Sequence, residues 1–356
     1  MSAIKQLDRF QRRHPVVGFP LAVVYKLVDD RGPHLAALIT YYGFLSLFPL
    51  LLLFTSVLGF VLEDNPDLQR RVVGSALSSF PLLRSQLQEN IGQFQGSGIA
   101  LAIGIVGTLY GGLGVMQAAQ AALNRIYAVP RFAQPNPLTS RVRSLLLVLT
   151  LGLAALLSTG LSAFVLTVGE LVPTLGPLVP VGAALAGFVV NVGIFLVLYQ
   201  VLTVRYLSWR NVLIGALIAA VLWELLQTLG TYYFGSYLTR TTDVYGIFGV
   251  ILGLLVWIYL QALVVILAAE INVVRHRRLY PRALLTPFTD DVDLTESDVR
   301  AYTGYARSER YKGFERAEAS FRRGREPGPA RPEGFPGDVD EDERQKDERE
   351  KTDQSR

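Results

Sequence analysis

The stretch YGIFGVILGLLVWIYLQALVVILAAEIN, Tyr245 to Asn272, decides the fold. Its one acidic residue, Glu270, sits at its far end, and no Lys or Arg occurs within it. A helix needs about 20 apolar residues to cross roughly 30 Å of hydrocarbon, because each unpaired backbone group there costs several kcal/mol. The run from Tyr245 to Ile271 meets that length. It ends at Asn272, just before the basic cluster Arg275, Arg277 and Arg278. That sequence of features reads as a membrane-crossing helix ending at a cytoplasmic surface.

Working outward, the same reading predicts spans at about 35–62, 98–117, 145–168, 178–202, 212–229 and 245–271. The first carries Pro49 near its middle, which predicts tilt or a kink. The expected fold class is an all-α membrane protein: a bundle of about six transmembrane helices, with amphipathic interfacial helices and a disordered C-terminal tail. Three regions follow: an N-terminal segment 1–34, the membrane domain 35–274, and a charged tail 275–356. Between the first two spans, 63–97 mixes apolar and charged residues, as a helix lying on the bilayer surface would. Val16 to Val28 fits the same description, or that of a short helix packed under the bundle.

Composition agrees, with 51% hydrophobic and 18% charged residues and a mean hydropathy of +0.33. There is no cysteine. Disulfides, Cys-ligated metals and Cys nucleophiles are thereby excluded. The first residues, MSAIKQLDRFQRRHP, lack the apolar core of a cleavable signal. A net charge of +4 could suggest nucleic acid, but in a membrane chain the placement of Lys and Arg matters more than their sum. They lie before the first span (Arg12, Arg13, Lys26, Arg31), between the second and third (Arg125, Arg131, Arg141, Arg143), between the fourth and fifth (Arg205, Arg210), and after the sixth. The opposite loops are poor in them or offset them with acids. Both termini are therefore expected in the cytoplasm of a multi-pass cytoplasmic-membrane protein. Beyond about Thr286 the chain is rich in Arg, Glu, Asp, Gly and Pro and cannot fold alone. It reads as a solvated tail, with a transient charged helix or a cytoplasmic protein partner as the alternative.

Polar side chains at membrane depth are costly and face a bundle interior or a water-filled cavity. Asn191, Glu224, Gln227 and Gln261 are the candidates, and they either line a polar path or hydrogen-bond between helices as structural glue. Glu270, at the interface, pairs on physical grounds with a neighbouring Arg. Ser46 is placed to bond a carbonyl freed by Pro49. Gly107 and Gly111 permit close helix approach. GTLYGGLG lacks the strand context of a phosphate loop. His14, His34 and His276 are far apart in sequence, and no catalytic constellation, metal site or cofactor site is expected.

Several stretches carry a family resemblance. AALITYYGFLSLFPLLLL (Ala36 to Leu53), ALNRIY (Ala122 to Tyr127), Trp223 and the Tyr245 to Asn272 run follow one another as in the YihY / virulence-factor BrkB family of bacterial inner-membrane proteins, historically mislabelled ribonuclease BN. The chain resembles that family from about Phe10 to Tyr280. The resemblance implies a six-helix domain with both ends inside, and motif positions Tyr41, Ser46, Pro49, Asn124, Tyr127, Tyr245, Gly246, Trp257, Tyr259, Glu270 and Asn272. It raises Glu270 and Asn272 above an anchoring role. Where the family often has Pro-Gly-Ala at the start of the fifth span, this chain reads Ile214, Gly215, Ala216. The implied functions are envelope integrity and movement of lipids or other amphiphiles, with membrane lipids as partners and no nucleic acid. A non-transporting scaffold that recruits partners through its tail is the alternative.

Overall fold

The structure is a computed structural model that describes residues 2–61, 98–136, 138–148, 150, 152, 178–203, 208–233, 239–284 and 292–321. Among these residues there is no strand. The readings made for 63–97, and for most of the span at 145–168, lie outside the described residues. The chain divides into a compact unit, Met1–Ala319, and a second, Ser320–Arg356, in which only Ser320 and Phe321 are described.

Helix α1 (Ser2–Arg13) ends in Arg12, whose guanidinium meets Asp8 one turn back at 2.7 Å. Helix α2 (Pro15–Asp29) opens on a proline, whose fixed φ suits the first helical turn. Asp30 and Arg31 then turn the chain, Arg31 at φ 57°. Helix α3 (Gly32–Val61) runs for 30 residues and continues through Pro49. The carbonyl that Pro49 leaves without its helical donor is that of Leu45, four residues back. Ser46 does not serve it: its hydroxyl donates to Gly43 at 2.9 Å.

Helix α4 (Gly98–Ile126) lies antiparallel against α3 through a ridge of glycines. Gly104 faces Leu53, Gly107 faces Pro49, Gly111 faces Ser46 and Gly114 faces Tyr42. A Cβ at any of the four would overlap its facing residue. The small residues thus let two backbones approach closely, the means of helix association where lipid removes the hydrophobic drive. The expected pair Gly107 and Gly111 is the centre of a longer seam.

The helical residues 138–148, α5, are tied to α4 by Gln120, which donates to Ser144 at 2.9 Å and accepts from Ser140 at 2.8 Å. Helices α6 (Leu178–Leu202) and α7 (Trp209–Tyr233) pack on each other, and α8 (Thr239–His276) packs on α7, α3 and α2. Within the described residues four helices are long and apolar enough to cross a membrane: Leu101–Ile126, Ala184–Leu202, Trp209–Gly230 and Ile251–His276. Their outward faces carry exposed Val106, Val189, Leu225 and Val256. So much apolar surface suits lipid rather than water.

Burial concentrates instead where α4 and α8 end, around Ile126, Tyr199, Ile266, Ala269 and Val274. The segment read as tail begins with order. Thr295 and Asp298 form a reciprocal capping box that starts α9 (Glu296–Ser308), and Ala301 is buried. Composition missed this helix because it does not fold alone. It packs through Ala301, which joins the core, Tyr305, which lies against it, and the Asp298–Arg282 ion pair.

Candidate functional site

Two polar regions and one groove gather the predicted residues. Between α6 and α7, the Asn191 amide donates to Glu224 Oε1 at 2.8 Å. Asn191 is half-buried and Glu224 is exposed. Gln227, one turn along α7, is half-buried, as is Gln261 on α8. Among the described residues Gln261 makes no hydrogen bond to the pair, so two of the four path candidates are joined directly. The groove lies between α3 and α8, has a volume of about 340 Å³, and is lined by Ala37, Thr40, Tyr41, Leu255, Val256 and Tyr259. Two motif tyrosines therefore meet across an open apolar slot.

The second polar region is dry. Lys26, on the face of α2 that also buries Ala22 and Val23, is 2% exposed. Its ammonium donates to the Asp30 carboxylate and to the Ile126 carbonyl at 3.1 Å, and stands 3.3 Å from Glu270 Oε2. Asp30 and Glu270 are 1% and 0% exposed. The expectation that Glu270 pairs with a neighbouring Arg is thus replaced by a pair spanning most of the chain. Arg277 instead donates to the Tyr127 carbonyl at 2.5 Å. Burial raises the proton affinity of Asp30 against the opposing pull of Lys26. Burial likewise pushes the Tyr127 hydroxyl up to about 12.

Around this node the other motif residues have structural partners. Asn272 Oδ1 accepts from the Gly215 N–H at 2.9 Å, and its Nδ2 donates to the Val212 carbonyl at 3.4 Å. A Cβ at Gly215 would fall inside the Asn272 side chain, so the glycine of the Ile214-Gly215-Ala216 turn of α7 is what admits it. Asn124 is buried, and its carbonyl accepts from Val129 at 2.8 Å. The Trp257 ring occupies the space where Gly230 has no side chain. Tyr245 and Gly246 fall in α8, but their side chains lie outside the described residues.

Beside the node sits a clasp that sequence reading did not find. Arg282, 1% exposed, meets Asp29 at 2.6 Å and Asp298 at 2.9 Å. Asp298 also accepts from the Ala283 and Thr295 N–H groups, each at 2.9 Å. Burial disfavours the guanidinium charge, yet Asp29 and Asp298 outweigh it and hold the group more firmly protonated than usual. Gln11 donates to the Arg282 carbonyl, and Leu284 donates to Asp8, which brings α1 into the same clasp. The legible signal was Lys26 with Asp30, four apart on an otherwise apolar helix face. Asp298 had the Thr-x-x-Asp spacing of a capping box, whereas nothing in its neighbourhood distinguishes Arg282 from the charges around it.

A family model described as virulence factor BrkB matches residues 23–290. The chain belongs to that family. The BrkB match contains Lys26, Asp30 and Glu270 but ends before α9. Among curated relatives, a putative ribonuclease-like protein, YfkH, of Bacillus subtilis is 27% identical over 69% of this chain and 91% of its own length. A UPF0761 membrane protein of Cronobacter sakazakii is 27% identical over 74% of this chain and 90% of its own. Another, of Halorhodospira halophila, is 28% identical over 73% of this chain but only 58% of its own. No solved structure matches. The chain is an integral membrane protein of the BrkB and UPF0761 kind.

Proposed function

We propose that this protein is a multi-pass component of the bacterial cytoplasmic membrane, both termini inside, that moves lipids or other amphiphiles between leaflets. The observation that carries the reading is the Asn191–Glu224 hydrogen bond, exposed on the bundle surface near the middle of α6 and α7. Asn191 lies 11 residues before the end of α6, roughly 16 Å at 1.5 Å per residue, which is half a hydrocarbon core. A carboxylate held there, with an amide donor and an open side, offers a headgroup a polar station along its crossing. The Tyr41–Tyr259 groove on the neighbouring face suits an acyl chain.

The test is lipid translocation in vesicles reconstituted with the full chain and a headgroup-labelled phospholipid. Folded Glu224→Gln and Asn191→Leu variants are expected to lose most of the rate; full activity in both would end this reading. Orientation is checked by labelling single cysteines placed in a chain that has none of its own. Protein purified free of contaminating nuclease is expected to leave RNA intact.

A further inference from the structure

The Lys26 node has an uneven charge. One ammonium faces two carboxylates, and all three groups are at most 2% exposed. Two of the three Lys26 N–H groups donate to Asp30 and to the Ile126 carbonyl. Glu270 has a looser ion-pair contact with the same ammonium, at 3.3 Å, and among the described residues its oxygens accept no hydrogen bond of regular geometry. Among the described residues the Tyr305 hydroxyl is likewise buried without a hydrogen bond. An ionised carboxylate kept from water in this condition carries a heavy desolvation cost, whereas a protonated one is a neutral donor.

Among the described residues, Lys26 is the one cation in ion-pair contact with Asp30 or Glu270. From α2 and its C-terminus come Lys26 and Asp30 themselves. The end of α4 contributes Tyr127 and Arg125, and Arg125 is solvent-exposed, so its field is screened. Just past the end of α8, Arg277 donates to the Tyr127 carbonyl and keeps its charge. From α9 comes Tyr305, whose ring lies 5.4 Å from Lys26 Nζ. Beyond it the Arg282 clasp sets one guanidinium against Asp29 and Asp298, so it too carries an excess negative charge. Asp30 and Glu270 converge on the one Lys26 ammonium, Asp30 as its hydrogen-bond acceptor and Glu270 at 3.3 Å.

We propose that the node is a proton-binding site in which Asp30 and Glu270 share one proton beside the Lys26 ammonium, and that losing this proton to water loosens α9 and α2 over it. The balance is simple. With the proton bound, one carboxylate neutralises Lys26 and its neighbour is a neutral acid. Without it, two carboxylates face one ammonium in a dry site, and water must enter. A metal cation is disfavoured as the occupant, because the ammonium already stands between the carboxylates. The sign follows from linkage: the closed form binds the proton more tightly than the open one, so closure is complete at low pH and is lost as pH rises through the closed form's midpoint. Within that window the open-to-closed ratio rises about tenfold per pH unit. This inference does not rest on amphiphile translocation.

The experiment uses the full chain in lipid nanodiscs and reads two signals against pH. The first is the infrared carbonyl stretch of a protonated carboxylic acid; the second is hydrogen exchange across Glu296–Ser308, referenced to intrinsic exchange rates. In the unaltered protein, the carboxylic acid band and the protection of α9 are expected to disappear together as pH rises. Glu270→Gln and Asp30→Asn each leave one carboxylate matched to Lys26, so each is expected to remove the band and make α9 protection independent of pH. A band that survives in both variants, or protection that keeps its pH dependence in Glu270→Gln, overturns the proposal. So does a midpoint that moves when choline is exchanged for sodium or potassium, which would make the ligand a metal cation. Should a variant fail to fold, the unaltered protein still decides: protection lost with no change in the band overturns it.

Discussion

Replacing Lys26 by methionine would leave Asp30 and Glu270 facing each other with no cation in a site closed to water. A buried pair contributes little over an apolar replacement, because desolvation offsets the attraction. Removing one partner is different, since the remaining charge is stranded at a cost of about 3–5 kcal/mol. The unfolding midpoint of Lys26→Met near neutral pH is therefore expected to fall by that free energy, while Val24→Met, an exposed position on the same helix, should leave it unchanged. A second residue tests the Asn272 contact. Gly215→Ala drives the Asn272 amide off the Gly215 N–H and the Val212 carbonyl, for a loss of about 1–3 kcal/mol. Gly193, with nothing within 4 Å of an added Cβ, is the matched control and should tolerate alanine. Both sites were half legible. Glu270 and Asn272 stand out in the sequence as polar residues ending an apolar run, but their partners lie far along the chain, and no periodicity reports a contact of that span.

At the scale of elements, α3 and α4 show which features of a membrane helix can be read locally. Length and apolarity located both helices, although α4 continues nine residues past the expected end at 117, to Ile126, and the glycine spacing announced a close approach. What local reading could not give was the partner. Pro49 reads as a kink from the α3 sequence alone, yet it seats against Gly107, so the two residues explain each other only once the helices are paired. Alanine at Gly111 is expected to separate the helices at Ser46, for about 1–3 kcal/mol lost in an unfolding titration. Alanine at Gly112, whose nearest neighbour is a Val148 methyl at 3.7 Å, should be close to neutral. Equal effects at the two positions would mean that the seam is not the contact that matters. Helix α9 escaped detection for the opposite reason. Its order comes from a capping box and a shared arginine, and the arginine looks like ordinary surface charge in a sequence.

For the unit Met1–Ala319 as a whole, the clasp joins the N-terminal helices to the segment that follows α8. Helices α1 and α2 reach residues 282–284 through Gln11, Asp8 and Asp29, and Arg282 carries the link on to Asp298 of α9. Truncation after Ala319 is therefore expected to leave the unfolding midpoint and lipid translocation as they are in the full chain. The scaffold alternative, in which the charged tail recruits a partner, expects function in cells to vanish with the same deletion. Truncation after residue 291 differs, because it removes Thr295, Asp298 and Tyr305 together. Arg282 would keep Asp29 but lose half of its neutralising charge, and Lys26 would lose the ring beside it. A loss of about 3–5 kcal/mol is expected, together with exposure of the Lys26 node to water. If the longer truncation is as stable as the shorter, α9 is a bystander and the clasp does not join the N-terminal helices to it. If it is less stable while translocation persists, closing the bundle end and moving amphiphiles are separate properties of one chain, the first set by the buried charges and the second by the Asn191–Glu224 pair.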